Sequence, residues 1–220
     1  IMTLILNKRT LICLQRYNDG KILTKPPNIN YFAECGHLSL IYLLHNDPNV
    51  ICTIKAMSWA SHNGYLDIVK FLHFNRTEGC SKWAMDWASS YGHLDIVQFL
   101  HEHRTEGCTE NAMNTASRKG YLDIVKFLHF NRTEGCSNWA MNLASENGYL
   151  DIVKFLHFNR TEGCTNYAMN WASINGHHDV VIWLHKNRNE GCTEWTIDWT
   201  SQNGHLDIVK FLTKHYPQFA

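Results

Sequence analysis

The chain has 220 residues, 45% of them hydrophobic and 18% charged, a balance that excludes a disordered polyelectrolyte. Twenty basic residues offset twenty acidic ones, so no basic excess points to nucleic acid or to an anionic membrane as the main partner. No stretch approaches the ~20 apolar residues of a membrane-spanning helix.

Residues 1–6 are apolar, but Lys8 and Arg9 follow them, the reverse of the order in a signal peptide. The first residue is Ile1, which leaves open a start inside a longer chain. Residues 1–23 match nothing downstream and are expected to form an N-terminal cap or degenerate half-repeat. From residue 24 the chain repeats with a period of 28 residues. Glycine recurs at Gly36, Gly64, Gly92, Gly120, Gly148, Gly176 and Gly204, and cysteine at Cys52, Cys80, Cys108, Cys136, Cys164 and Cys192. Six copies are clear: 52–79, 80–107, 108–135, 136–163, 164–191 and 192–219. A degraded copy, 24–51, keeps Ala33, Gly36, His37, Leu38 and His45.

Each copy predicts two helices. In 80–107, Ser81 stands at an N-cap position, a slot filled elsewhere by Thr53, Thr109, Ser137, Thr165 and Thr193. A first helix is predicted over about 82–91, where Ala84 and Ala88 share a face and let a neighbour approach closely. Gly92 supplies the left-handed conformation that ends it. A second helix is predicted over about 94–102, with Leu94, Ile96, Val97, Phe99 and Leu100 apolar and Asp95, Gln98 and Glu102 on a polar stripe. One such hairpin cannot bury both of its apolar faces, whereas a stack of them can.

The segments Ala60 to Leu72, Ala88 to Leu100, Ala116 to Leu128, Ala144 to Leu156, Ala172 to Leu184 and Thr200 to Leu212 resemble the ankyrin repeat. The likeness covers roughly 24–212, and the Arg-Thr-Glu-Gly-Cys linker is similar to that of divergent ankyrin proteins of large DNA viruses and some protists. The family's Thr-Pro-Leu-His opening is replaced here, for example by Trp83-Ala84-Met85-Asp86. The repeat is also about five residues shorter than the usual ~33. The resemblance therefore implies an all-α solenoid of stacked helix-turn-helix repeats with shortened or absent β-hairpins.

Candidate chemistry is sparse. Like residues in successive copies should lie about one helix-packing distance apart, ~8–10 Å. That is too far for a disulfide or for shared zinc ligands. The cysteines are accordingly expected to be small, buried and reduced. His45, His73, His101, His129, His157 and His185 are expected to cap the C-termini of second helices. Asn75, Asn131 and Asn159 begin glycosylation sequons, but a repeated turn explains more of the copies. Trp59, Trp83, Trp87, Trp139, Trp171, Trp195 and Trp199 are expected to be mainly core, with partial exposure as binding anchors the alternative. No phosphate loop, nucleophile elbow or metalloprotease motif is present in the sequence. Catalytic residues, metal ligands and cofactors are expected to be none.

Function is expected to lie in the slots that vary between copies. The third residue of each copy gives Ile54, Lys82, Glu110, Asn138, Asn166 and Glu194. The two before each glycine give His62 and Asn63, Ser90 and Tyr91, Arg118 and Lys119, Glu146 and Asn147, Ile174 and Asn175, Gln202 and Asn203. In the family that this chain resembles, such positions line a concave surface that contacts proteins. The expected function is a protein-protein interaction module, an adaptor or scaffold, with a structural spacer in a longer protein as the alternative. Its partner is expected to be a protein, with no nucleic acid, membrane or small-molecule substrate. Unpaired cysteines predict an intracellular, reducing compartment, cytoplasmic or in a host cell. Phe74, Phe130 and Phe158 fall on the polar stripe of the second helix, either as a rear contact patch or folded over the linker.

Overall fold

A computed structural model describes residues 28–219, so the cap expected over 1–23 lies outside the described residues. The helices pair along the chain as α1 (Ile29–Glu34) with α2 (Leu38–Leu44), α3 (Ile54–His62) with α4 (Leu66–Asn75), and α5 (Lys82–Ser90) with α6 (Leu94–His103). They continue as α7 (Glu110–Lys119) with α8 (Leu122–Asn131), α9 (Asn138–Glu146) with α10 (Leu150–Asn159), and α11 (Asn166–Ile174) with α12 (His178–Asn187). The last pair is α13 (Trp195–Gln202) and α14 (Leu206–His215), followed by a short 3-10 turn, Pro217–Phe219. Among the described residues the only extended pairing is an isolated bridge between Asn28 and Ile51. Shortening the repeat has removed the hairpin and kept the helices.

The chain divides into two compact units between Cys108 and Thr109. In the first, α1, α3 and α5 pack in succession, and α4 lies against α6. In the second, α7, α9, α11 and α13 form one row and α8, α10, α12 and α14 the other. First helices approach more closely than second helices. Their contact slots hold Ala60, Ala88, Ala116, Ala144 and Ala172, all fully buried. The serine after each alanine is buried too, and Ser61, Ser117 and Ser145 donate to the carbonyls of Met57, Met113 and Met141. A hydroxyl bonded inside its own helix carries no desolvation penalty.

Three of the expected N-caps bond as such: Thr53, Thr109 and Thr165 accept from the backbone N–H two residues on. Ser81 and Ser137 hold the position without a side-chain cap bond. The Ser137 hydroxyl instead accepts from Asn114 Nδ2 at 2.9 Å. Thr193 likewise receives Asn170 Nδ2, and its helix starts one residue later than in other copies. This asparagine is a tie between copies. Asn114, Asn142 and Asn170 each donate to the N-cap hydroxyl of the following copy, and their Oδ1 atoms accept the N–H of Ser137, Thr165 and Thr193.

Every described residue with a positive φ is a glycine. At Gly148 the φ of 76° is joined by a steric demand, because His177 Nδ1 of the next copy lies 2.5 Å from where a Cβ would stand. Gly204, in the same slot of the last copy, has a φ of 80° with nothing within 4 Å. The two sites separate backbone strain from packing. Gly204→Ala is expected to cost about 1–2 kcal/mol, the left-handed penalty alone. Gly148→Ala must also displace the ring and is expected to cost about 2–4 kcal/mol, the larger loss being read from urea unfolding. Equal losses at the two sites would show that the interlocking ring contributes nothing.

Candidate functional site

The variable slots fall on the first helices or at their ends, but they do not behave alike. Lys82, Glu110, Arg118, Lys119, Asn147, Glu194 and Gln202 are exposed, as is Tyr91. His62, Asn138, Glu146 and Asn166 are half-buried. Ile174 is only 7% exposed and is unavailable to a partner, a correction to its place among the contact residues. Asn63, Asn175 and Asn203 have structural work: their Nδ2 atoms donate to the carbonyls of Glu34, Glu146 and Ile174 in the preceding copy. The signal for this was present in the sequence, because asparagine fills that slot in four of the six clear copies.

The tryptophans depart from the expected core placement. Trp83 is 59% exposed and Trp199 53%, Trp139 and Trp171 are also exposed, and Trp59, Trp87 and Trp195 are half-buried. Alanine and methionine already fill the core side of each first helix, as Ala84, Met85 and Ala88 do in α5, so the indoles are left on the open side. In the first unit they gather. The rings of Trp59 and Trp87 lie 5.0 Å apart, and Trp83 meets Trp87 edge-on at 5.4 Å. His62 continues the cluster, 5.6 Å from Trp87 and 4.0 Å from Tyr91. A cleft of about 330 Å³ opens here between α3 and α5, lined by Ile54, Lys55, Ser58, Trp59, Ser81, Trp83 and Trp87. In the second unit Trp139 stacks on Tyr167, with 6.1 Å between ring centroids and 27° between planes. Phe74, Phe130 and Phe158 stand in the open on second helices, Phe158 at 72% exposure, and are not folded over the linker.

The cysteine and histidine ladders are parts of the stack. In the first unit Arg104 pairs with Glu106, and Glu106 Oε1 accepts the N–H of Cys80, at the start of the same copy, at 3.2 Å. Arg76 pairs with Glu78 and donates to the carbonyl of His45. Arg132, Arg160 and Arg188 pair with Glu134, Glu162 and Glu190 in the second unit. The Arg-Thr-Glu-Gly-Cys linker is therefore a clamp that closes on the linker before it, as Arg104 and Glu106 do on Gly79 and Cys80. Burial pushes the Cys52 thiol up to about 11 and Cys80 to about 12, far from a reactive thiolate. Burial also works against the Glu106 carboxylate, but hydrogen bonds from Arg104 and from backbone N–H groups outweigh it and hold the group at about 2. Among the described residues no set of three or more His, Cys, Asp or Glu side chains is placed to hold a metal ion.

Nor do His73, His129 and His157 cap. His73, His129 and His157 present their rings edge-on to Phe99, Phe155 and Trp183 of the next copy, at 5.5, 5.4 and 5.0 Å. Their buried Nδ1 atoms have no hydrogen-bond partner. The last-turn carbonyls are taken instead by the sequon asparagines, with Asn75, Asn131 and Asn159 Nδ2 donating to Phe71, Phe127 and Phe155. Aromatic packing won over capping because the ring points across to the next copy and not down its own helix.

A family model described as ankyrin repeats, three copies, matches the overlapping stretches 29–111, 57–138, 87–166 and 140–219. The chain belongs to the ankyrin-repeat family. None of the curated proteins compared with it matches. Ankyrin repeats generally act as protein-protein interaction modules and are typically non-catalytic. No described helix of this ankyrin array is long and apolar enough to cross a membrane.

Two of the histidines, His73 and His185, make a pH dependence. Burial, then the Arg104 charge, lowers the pKa of His73 below 6.5, and burial with the His215 charge lowers that of His185. Protonation then favours the unfolded chain. Stability is full above pH 6.5 and falls as the pH drops below it, until the folded-state groups themselves titrate. The Glu106 clamp acts in a separate window, losing its contribution only as pH falls from 4.5 toward about 2. Urea midpoints measured from pH 7.5 down to about 5 are expected to decline, and His73→Asn to flatten that decline. A flat profile in the parent chain would show that these rings carry no such linkage.

Proposed function

We propose that this ankyrin array is an adaptor or scaffold that binds a partner protein on the open side of its first helices. The observation that carries the reading is the cluster of Trp59, His62, Trp83, Trp87 and Tyr91 on α3 and α5, rings that the fold does not need for its core. Rigid aromatic side chains held on helices lose little conformational freedom on binding and are the commonest interface anchors. Around them and in the second unit, Lys82, Glu110, Arg118, Lys119, Asn138, Glu146, Asn147, Asn166, Glu194 and Gln202 supply a polar rim of both charge signs. Of the remaining slots, Asn63, Asn175 and Asn203 hold the stack together, which leaves them a secondary part in any contact.

Cys52, Cys80, Cys136, Cys164 and Cys192 are thiols outside any disulfide, which suits a reducing intracellular compartment. Capture of partners by the intact, tagged chain tests the reading. A specific partner is expected to be lost with Trp87→Ala or with Arg118→Glu/Lys119→Glu, and kept with Phe130→Ala on the opposite helix row. Capture that ignores every first-helix change, or no partner at all, would favour a structural spacer.

A further inference from the structure

We propose that the cleft between α3 and α5 is a specificity pocket for a protein segment in which a bulky apolar side chain is followed by carboxylates. This inference rests on the interaction reading above and names the partner's chemistry at one place on that surface. The cleft has an apolar floor and wall, from Ile54, Trp59, Trp83 and Trp87, and its volume of about 330 Å³ has room for one large side chain and its adjoining backbone. Ile54 and Trp83 are exposed although both are large and apolar. Covering them returns free energy that the folded chain alone does not gain.

Charge decides what should flank the anchor. Lys55 lines the cleft, and Lys82 precedes Trp83 at its edge; both are exposed. Neither belongs to an ion pair among the described residues. No carboxylate lines the cleft. A cation would thus meet like charge, whereas a carboxylate on a residue that follows the anchor would meet Lys55.

The ring geometry argues the same way. An aromatic cage places a cation between faces, each within ~6 Å of it. Here the rings pack on one another, at 5.0 Å for Trp59 with Trp87 and 5.4 Å for Trp83 with Trp87, and do not stand apart as the walls of a cage. They form a continuous apolar wall suited to a phenyl, indole or leucyl group. Because the wall is already assembled, little ordering cost falls on binding.

The test titrates the intact chain with three capped peptides, acetyl-Phe-Glu-Glu-amide, acetyl-Phe-Lys-Lys-amide and acetyl-Gly-Glu-Glu-amide, and follows the indole N–H resonances, assigned by single Trp→Phe changes. The first peptide is expected to shift the Trp59, Trp83 and Trp87 signals saturably, and the other two to bind at least ~10-fold more weakly, each lacking one of the two features. Lys55→Glu lies on the surface and should fold normally; it is expected to weaken the acidic peptide several-fold and to improve the basic one. Equal binding of acidic and basic peptides, shifts confined to other indoles, or indifference to Lys55→Glu would overturn the proposal. The two readings fail separately. A partner whose capture survives Lys55→Glu and Trp87→Ala but is lost with Arg118→Glu/Lys119→Glu sinks the cleft and leaves the interaction module standing.

Discussion

A pair of helices about ten residues long buries its apolar faces only when another pair sits on it, so the contact between copies is the constraint on which the rest of this protein depends. That contact is made by small things. Alanines and serines on the first helices allow close approach, and glycine at the turn leaves space for a ring of the next copy, as where His177 covers Gly148. Several of the polar groups that such an approach would strand are given partners, although Ser89, Ser173 and the histidine Nδ1 atoms are not. Asparagine ties an N-cap hydroxyl and N–H of the following copy, and a glutamate held by its arginine accepts the N–H of the preceding cysteine. Removing such a partner would leave a buried donor unsatisfied, which costs more than the bond itself contributes.

Once the seam is satisfied in this way, residues that invite a chemical reading lose it. A cysteine and a histidine in every copy look like a ligand set. The thiol instead sits under an Arg–Glu pair with its proton held on by burial, and the imidazole packs edge-on against the next aromatic ring. Repetition itself works against a reaction centre, because translating one residue along a stack gives a row of equivalent groups and never the convergence of unlike ones.

The same seam determines where function is free to lie. The core side of each first helix is filled by residues of modest volume, which pushes the indoles to the opposite side. In the first unit the outcome is a continuous aromatic cluster beside a lysine-lined cleft. A helix face with no packing duty tolerates any side chain, so the large apolar ones found there stand out as anchors.

The 28-residue period, the paired helices and the left-handed turn glycine were all legible in the sequence, because each is a local property or a count: helical spacing, cap chemistry, absence of a Cβ. The resemblance of the Ala-Ser-x-x-Gly segments to ankyrin repeats followed from the same local pattern. What lies across the seam was not legible. Trp83 and Ala84 are neighbours in one helix, and periodicity assigns large apolar residues to the core; only the packing of α5 on α3 showed that alanine takes the buried side and tryptophan the open one. Whether His129 caps its own helix or meets Phe155, and whether Asn175 is free or bound to Glu146, likewise depends on groups 26 and 29 residues away in the chain. Local sequence determines which conformations each segment can adopt. Burial and partnership depend on what the next copy places opposite it, and that was decided by the stack.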